Sequence, residues 1–206
     1  MKTMKTVLVG AAAFTLAGCV SLLPEPAPAD TIYRLSAVNE GVPQSPNAKV
    51  VRIDRPNAAS IFQGRDVVVS PDGRRLASAS QAKWAESIPD MVQNSFVDIL
   101  AEREGLVGVV PSSGARTDTR VHLTIKSFEA RFDQGEGNAP LAVVHYSATL
   151  SNASNRNLLG TYDVKKTVRS SDIRVSTIVE AMDSANKQAL NAITDWLETP
   201  EVRSKV

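Results

Sequence analysis

The side chain with the most definite chemistry is that of Cys19, the single cysteine among 206 residues, which closes the run Leu16-Ala17-Gly18-Cys19. A thiol can form a thioether to diacylglycerol, and small residues before it suit the narrow site of a signal peptidase. The run looks like the bacterial lipobox, in which cleavage falls just before the acylated cysteine. The residues upstream agree with this: Lys2 and Lys5 make a positive start, and Val7 to Leu16 is apolar but for Thr15 and small residues. Ten residues rise about 15 Å as a helix, half a bilayer, which predicts a signal peptide over 1–18 rather than a spanning anchor. Cys19 is therefore predicted to carry the lipid, and two or three acyl chains on one residue suffice for stable anchoring.

The remaining candidates for chemistry are sparse. His122 and His145 both fall on the polar phase of strand-like runs and could share a sheet face. No nucleophile-elbow sequence and no His-x-x-x-His spacing accompanies them, so they read as solvated strand residues. There is no Gly-x-x-x-x-Gly-Lys-Ser/Thr loop, and Gly135 and Gly137 do not open a helix, which leaves no phosphate or dinucleotide fingerprint. With one cysteine, neither an internal disulfide nor a multi-cysteine metal site can form. The pairs Arg74-Arg75 and Lys165-Lys166 are too short for a nucleic-acid footprint. The sequence thus predicts a non-enzymatic protein with no catalytic residues, no cofactor, no metal and no nucleic-acid partner.

Composition sets the frame that must position these residues. At 43% hydrophobic, 22% charged and a formal net charge of +1, the chain is neither disordered nor strongly basic. Removal of Lys2 and Lys5 with the leader takes that charge to −1. The predicted organisation is a signal peptide (1–18), a lipidated cysteine with a Pro-rich tether (19–30), one α/β domain (31–200) and a tail (201–206). Prolines 24, 26 and 28 favour an extended tether of up to roughly 30 Å.

Within the domain, short strands are expected at Ile32–Leu35, Lys49–Asp54 and Arg65–Ser70, the last followed by a Pro71-Asp72-Gly73 turn. Helical periodicity begins near Ser80 and runs through Trp84, Ile88, Met91, Val92, Phe96 and Ile99. Pro89 places the regular start, or a kink, near Ser87, and Gly105 is a candidate stop. A strand at Leu106–Val110 precedes three long alternating runs around 121–132, 142–150 and 158–168. In the first of these the apolar phase flips after Ser127, from Val121, Leu123 and Ile125 to Phe128, Ala130 and Phe132. A β-bulge accounts for this; an apolar patch at Phe128 and Phe132 facing a partner is the other reading, joined by the turns at 134–140 and 151–157. Thr177-Ile-Val-Glu180 has capping-box spacing at the head of a last helix through Ile178, Met182, Ala185, Ala189, Ile193 and Trp196. The fold class is α/β: a single domain with a mixed or antiparallel sheet and two long helices packed on it.

The lipobox, Tyr33-Arg34-Leu35, Trp84-Ala85-Glu86, Phe128-Glu-Ala-Arg-Phe132, the Leu159-Gly160 return and the Ala181-to-Trp196 helix occur in an order that resembles the ABC-type transport auxiliary lipoprotein family, which includes the paraquat-inducible protein C lipoproteins. The resemblance implies an outer-membrane lipoprotein facing the periplasm. Its partners would be an inner-membrane ABC permease and ATPase and a periplasmic MCE-domain protein, in a system moving lipids or other hydrophobic molecules. The absence of aspartate after Cys19, where Val20 stands, agrees with the outer membrane under the enterobacterial sorting rule. Ring-forming members of the family leave room for a homo-oligomer. Two rival readings are a periplasmic lipid-binding carrier and an envelope-assembly scaffold unrelated to ABC transport.

Overall fold

A computed structural model describes residues 28–36 and 42–206. Cys19, the leader and most of the tether lie outside the described residues. The domain is one nine-stranded mixed sheet with helices on one face. In chain order its elements are β1 (Thr31–Tyr33), β2 (Lys49–Ile53), β3 (Asn57–Ala58), β4 (Asp66–Ser70), β5 (Ala77–Trp84), α1 (Ile88–Ala101), β6 (Leu106–Val109), β7 (Thr119–Arg131), β8 (Leu141–Asn152), β9 (Leu158–Arg169), α2 (Val175–Glu198) and α3 (Pro200–Arg203).

The thirteen-residue β7 is the spine. Along one edge it accepts β2, β3 and β4 in succession, all parallel, at residues 119–121, 124–125 and 130–131. Along the other it pairs with β8 for nearly its whole length, and β8 pairs with β9, both antiparallel. The branches end in β6, beside β2, and in β1, beside β5.

Alternation in the three long strands explains the two-layer form. Val121, Leu123, Ile125, Ala142, Val144, Tyr146, Ala148, Leu150 and Val164 are buried toward the helices. His122, Thr124, His145, Ser147 and Thr149 are half-buried on the opposite face. Against the apolar face α1 contributes Met91, Val92, Phe96 and Ile99, and α2 contributes Ile178, Met182, Ala185, Ala189, Ile193 and Leu197. The small Ala185 and Ala189 let α2 lie close to β8 and β9.

At the centre of this layer sits a chain of buried polar groups. The Tyr146 hydroxyl donates to Asn186 Oδ1 at 2.7 Å, and Asn186 Nδ2 donates to Ser95 Oγ at 3.0 Å. It ties β8 to α2 and α2 to α1.

Several boundaries differ from the sequence reading. Residues 77–84 are strand, not the first turns of a helix; α1 begins after Ser87, whose side chain accepts from Asp90 N–H, with Pro89 in the first turn. The i, i+4 pair Trp84 and Ile88 mimics one helix face, but Pro89 has no N–H to donate back to Ala85 and its ring clashes with that carbonyl, so no helix runs through it from upstream; it fits the first turn of α1, after the extended Ser87. Helix α2 starts at Val175, not after Thr177. Thr177 lies inside its first turn and donates to the Asp172 carboxylate at 2.5 Å, while Asp172 also accepts from the Arg174 backbone N–H at 2.7 Å. An acidic side chain three residues before Val175 thus takes up the N-cap N–H, one of the two hydrogen bonds expected of a capping box. Gly105 does not stop α1, which ends at Ala101; a Cβ on Gly105 would meet the Arg203 guanidinium at 2.5 Å. Residues 201–206, read as a tail, pack down: α3 buries Val202, and Lys49 Nζ donates to the carbonyls of Arg203 and Val206 at 2.6 Å.

Candidate docking surface

The apolar patch expected at Phe128 and Phe132 does not exist as an outward surface. Register between β7 and β8 shifts between Ile125 and Ser127, the bulge that the phase flip also allowed. The extra residue returns Phe128 to the core, where it is fully buried edge-on to Trp84, with ring centroids 5.8 Å apart. Phe132 is half-buried against the same core. A β-bulge conserves the burial of a face at the expense of sequence phase, and Phe128 obeys the burial.

The two histidines do share the polar sheet face but stand apart: His122 is opposite Thr149 and His145 opposite Ser127. Four residues of β8 separate them, roughly 14 Å. His145 Nε2 lies 2.6 Å from Asp163 Oδ1, and Lys126 Nζ donates to Asp163 Oδ2 at 2.7 Å, so one carboxylate joins three adjacent strands. The Lys126 and His145 hydrogen bonds hold the Asp163 carboxyl down to about 2. Among the described residues no hydroxyl or thiol nucleophile is hydrogen-bonded to either imidazole. Among the described residues no three His, Cys, Asp or Glu side chains gather as a metal site, and no helix is long and apolar enough to cross a membrane.

The surface best shaped for a partner is the outer margin of β9 with the helix above it. Among the described residues no strand pairs with the far side of β9, leaving a twelve-residue strand edge on which the Leu159 carbonyl accepts from Lys205 Nζ at 3.3 Å. Its two halves differ. From Asp163 to Arg169 it carries Asp163, Lys165, Lys166 and Arg169, charges of the kind that keep an edge from pairing indiscriminately. From Leu158 to Tyr162 it carries none, and Leu158 is 64% exposed.

Beside that uncharged half the Tyr162 ring stacks on Trp196 of α2, with centroids 5.5 Å and planes 10° apart. Gly160 makes room for the indole: a Cβ there would meet Trp196 at 3.0 Å. Leu159, Trp196, Thr199, Pro200 and Val202 line an open depression of about 580 Å³, with Glu201 and Lys205 on its margin. A second, of about 550 Å³, continues along α2 between Lys166, Lys187, Asn191 and Asp195. Backbone donors and acceptors next to an aromatic-floored groove are what an extended segment of another chain would use. Alternation alone could not find this surface, since it requires knowing that β9 is an edge and that Trp196 meets Tyr162. The sequence signal was the uncharged Leu158–Tyr162 stretch followed by charge.

The layered mixed sheet defines the molecule first as one α/β domain. A structure of a Xanthomonas campestris protein, from a family of unassigned function, superposes with a TM-score of 0.70 at 20% identity, covering 81% of this chain and 94% of that one. Another, of an uncharacterised protein, gives 0.67 at 16% identity, covering 83% and 100%. No curated protein is detectably similar in sequence. The model of the ABC-type transport auxiliary lipoprotein component family matches residues 33–194, and the chain belongs to that family. It is accordingly a membrane-anchored lipoprotein of the cell envelope associated with an ABC-type transporter.

Proposed function

We propose that this chain is a non-enzymatic docking component of an ABC transport system of the MCE type, anchored through acylated Cys19 to the outer membrane and facing the periplasm. The observation that carries the reading is the family match across residues 33–194. Lipids and similar solutes cannot cross an aqueous compartment unshielded, so a protein path must cover them. ATP hydrolysis at the inner-membrane permease supplies the work, and the periplasmic MCE-domain protein forms the path. This chain contributes a fixed position at the far membrane and a surface that receives the path's end.

The β9 margin supports that role, because its uncharged half with the Trp196 groove offers both an unpaired strand edge and an aromatic floor rimmed by polar groups. A carrier would need an apolar cleft between helices and sheet. That space is filled by Trp84, Phe96, Phe128, Tyr146 and Met182, all fully buried, and the depressions described lie outside it.

Affinity purification of the lipidated protein from crosslinked membranes tests the proposal. Recovery of a permease, its ATPase and an MCE-domain protein is the expected result. Recovery of envelope-assembly machinery in their place would favour the scaffold reading and defeat this one.

A further inference from the structure

The end of the sheet toward which the tether leaves has a surface of its own. Strand β1 lies parallel to β5, with Thr31 beside Ala82 and Tyr33 beside Trp84, so Pro28–Asp30 lead toward the Ala77 end of β5. Ala77 pairs with Val69 and Val69 with Ala130; Arg131 pairs with Leu141 and Leu141 with Arg169. The turn at 71–76, the turn at 132–140 and the loop at 170–174 therefore form one rim at that end.

Four large apolar side chains are exposed among the described residues. Two are on this rim, Leu76 at 39% and Ile173 at 54%, and Ile32 at 54% stands on β1 beside the exit of the chain. Only Leu158 is at the opposite end, next to the polar turn at 152–157.

The rim's charges sum to near zero, and all but the exposed Arg74 and Glu136, which are of opposite sign, are in ion pairs. Arg75 pairs with Asp72 at 2.8 Å, Arg169 with Asp133 at 2.5 Å and Arg174 with Asp172 at 2.6 Å. Paired charges lose less than single ones on leaving bulk water, and a balanced rim has no reason to select acidic lipids. Nine residue steps separate Cys19 from Pro28, roughly 30 Å at full extension, so an acylated Cys19 holds this end close to the bilayer.

We infer that the Leu76–Ile173 rim is a membrane-contact surface that rests on the bilayer to which Cys19 is fastened, turning the uncharged half of β9 away from the membrane. The inference rests on the lipid-anchor reading of Cys19. Two side chains alone would bind lipid weakly. With the acyl chains supplying attachment, they need only orient a domain already held within reach. The orientation deepens the docking role, since Leu158 then points into the compartment from which a partner arrives.

The experiment uses full-length lipoprotein in phosphatidylcholine vesicles with nitroxide-bearing lipids. Leu76→Cys, Ile173→Cys and Leu158→Cys are each labelled with an environment-sensitive fluorophore; all three sites are exposed, and a thioether at Cys19 leaves no competing thiol. Every variant is expected to float with the vesicles. Probes at 76 and 173 should shift to the blue and be quenched, and the probe at 158 should do neither. Adding phosphatidylserine should leave the quenching unchanged.

Flotation with unquenched probes at 76 and 173, or quenching at 158, overturns the inference while sparing the anchor. Quenching that develops only with phosphatidylserine overturns the apolar, charge-balanced contact. Failure to float, with Cys19 free to react, overturns the anchor itself and the rim contact with it.

Discussion

At the scale of single residues, the fold is specified by a few polar groups placed where apolar ones would pack as well. Tyr146, Asn186 and Ser95 join sheet and both long helices through two hydrogen bonds inside the core. Removing the phenol hydroxyl strands Asn186 Oδ1 in that interior. Tyr146→Phe should therefore cost about 1–3 kcal/mol in urea unfolding, and a loss under about 0.5 kcal/mol would show the network to be idle. Asp163 makes a different kind of prediction. Its carboxyl is held at about 2 against an ordinary 3.8, so its contribution is full above pH 4 and is lost as pH falls from about 4 to 2. Asp163→Asn should flatten that part of the acid limb in unfolding curves measured pH by pH, lowering stability at neutral pH and converging with the parent protein as pH falls toward 2. None of these partnerships was legible in the sequence. Alternation told which face His145 and Asp163 occupy, but the β8–β9 register, with Lys165 opposite His145 and Ser147 opposite Asp163, decides that they meet as diagonal neighbours.

At the scale of elements, the long alternating runs and the last helix were legible because burial imposes period on them, while the short parts were not. Strand β5 is built of Ala, Ser, Gln and Lys before Trp84 and includes Gln81 at φ 56°, so it presents no clean period of two. The start of α1 was legible, since Ser87 and Pro89 mark it by chemistry rather than pattern. Close approach is the other thing a pattern hides. A Cβ on Gly108 of β6 would stand 2.8 Å from Leu100 Cδ1 and 3.3 Å from Val97 Cα, so α1 lies almost on the backbone of β6. Gly108→Ala should cost about 1–3 kcal/mol and lower Tm, because the helix backbone cannot step aside. Gly64→Ala, which meets nothing within 4 Å, should stay within about 0.5 kcal/mol and serves as the control. At the β9 margin, Leu158→Lys removes an exposed apolar side chain without touching the core. It should leave Tm unchanged and abolish recovery of the transporter from crosslinked membranes.

At the scale of the whole molecule, the domain has two ends with different surroundings. One receives the tether and bears Leu76 and Ile173; the other bears the open, uncharged half of β9 and the groove floored by Trp196. The family resemblance was legible in the order of short motifs, and so was the layered fold they build. The docking margin was not, because an edge is a property of the assembled sheet rather than of any segment. Incorporating a photo-crosslinking amino acid at position 158 in living cells, with irradiation and mass spectrometry of the adducts, tests the docking role most directly. A dominant adduct with a component of an ABC-type transport system is expected, lost when the same residue is placed at position 173. Adducts from position 158 confined to proteins with no connection to such a system, in cells where the lipoprotein is correctly anchored, would contradict that role.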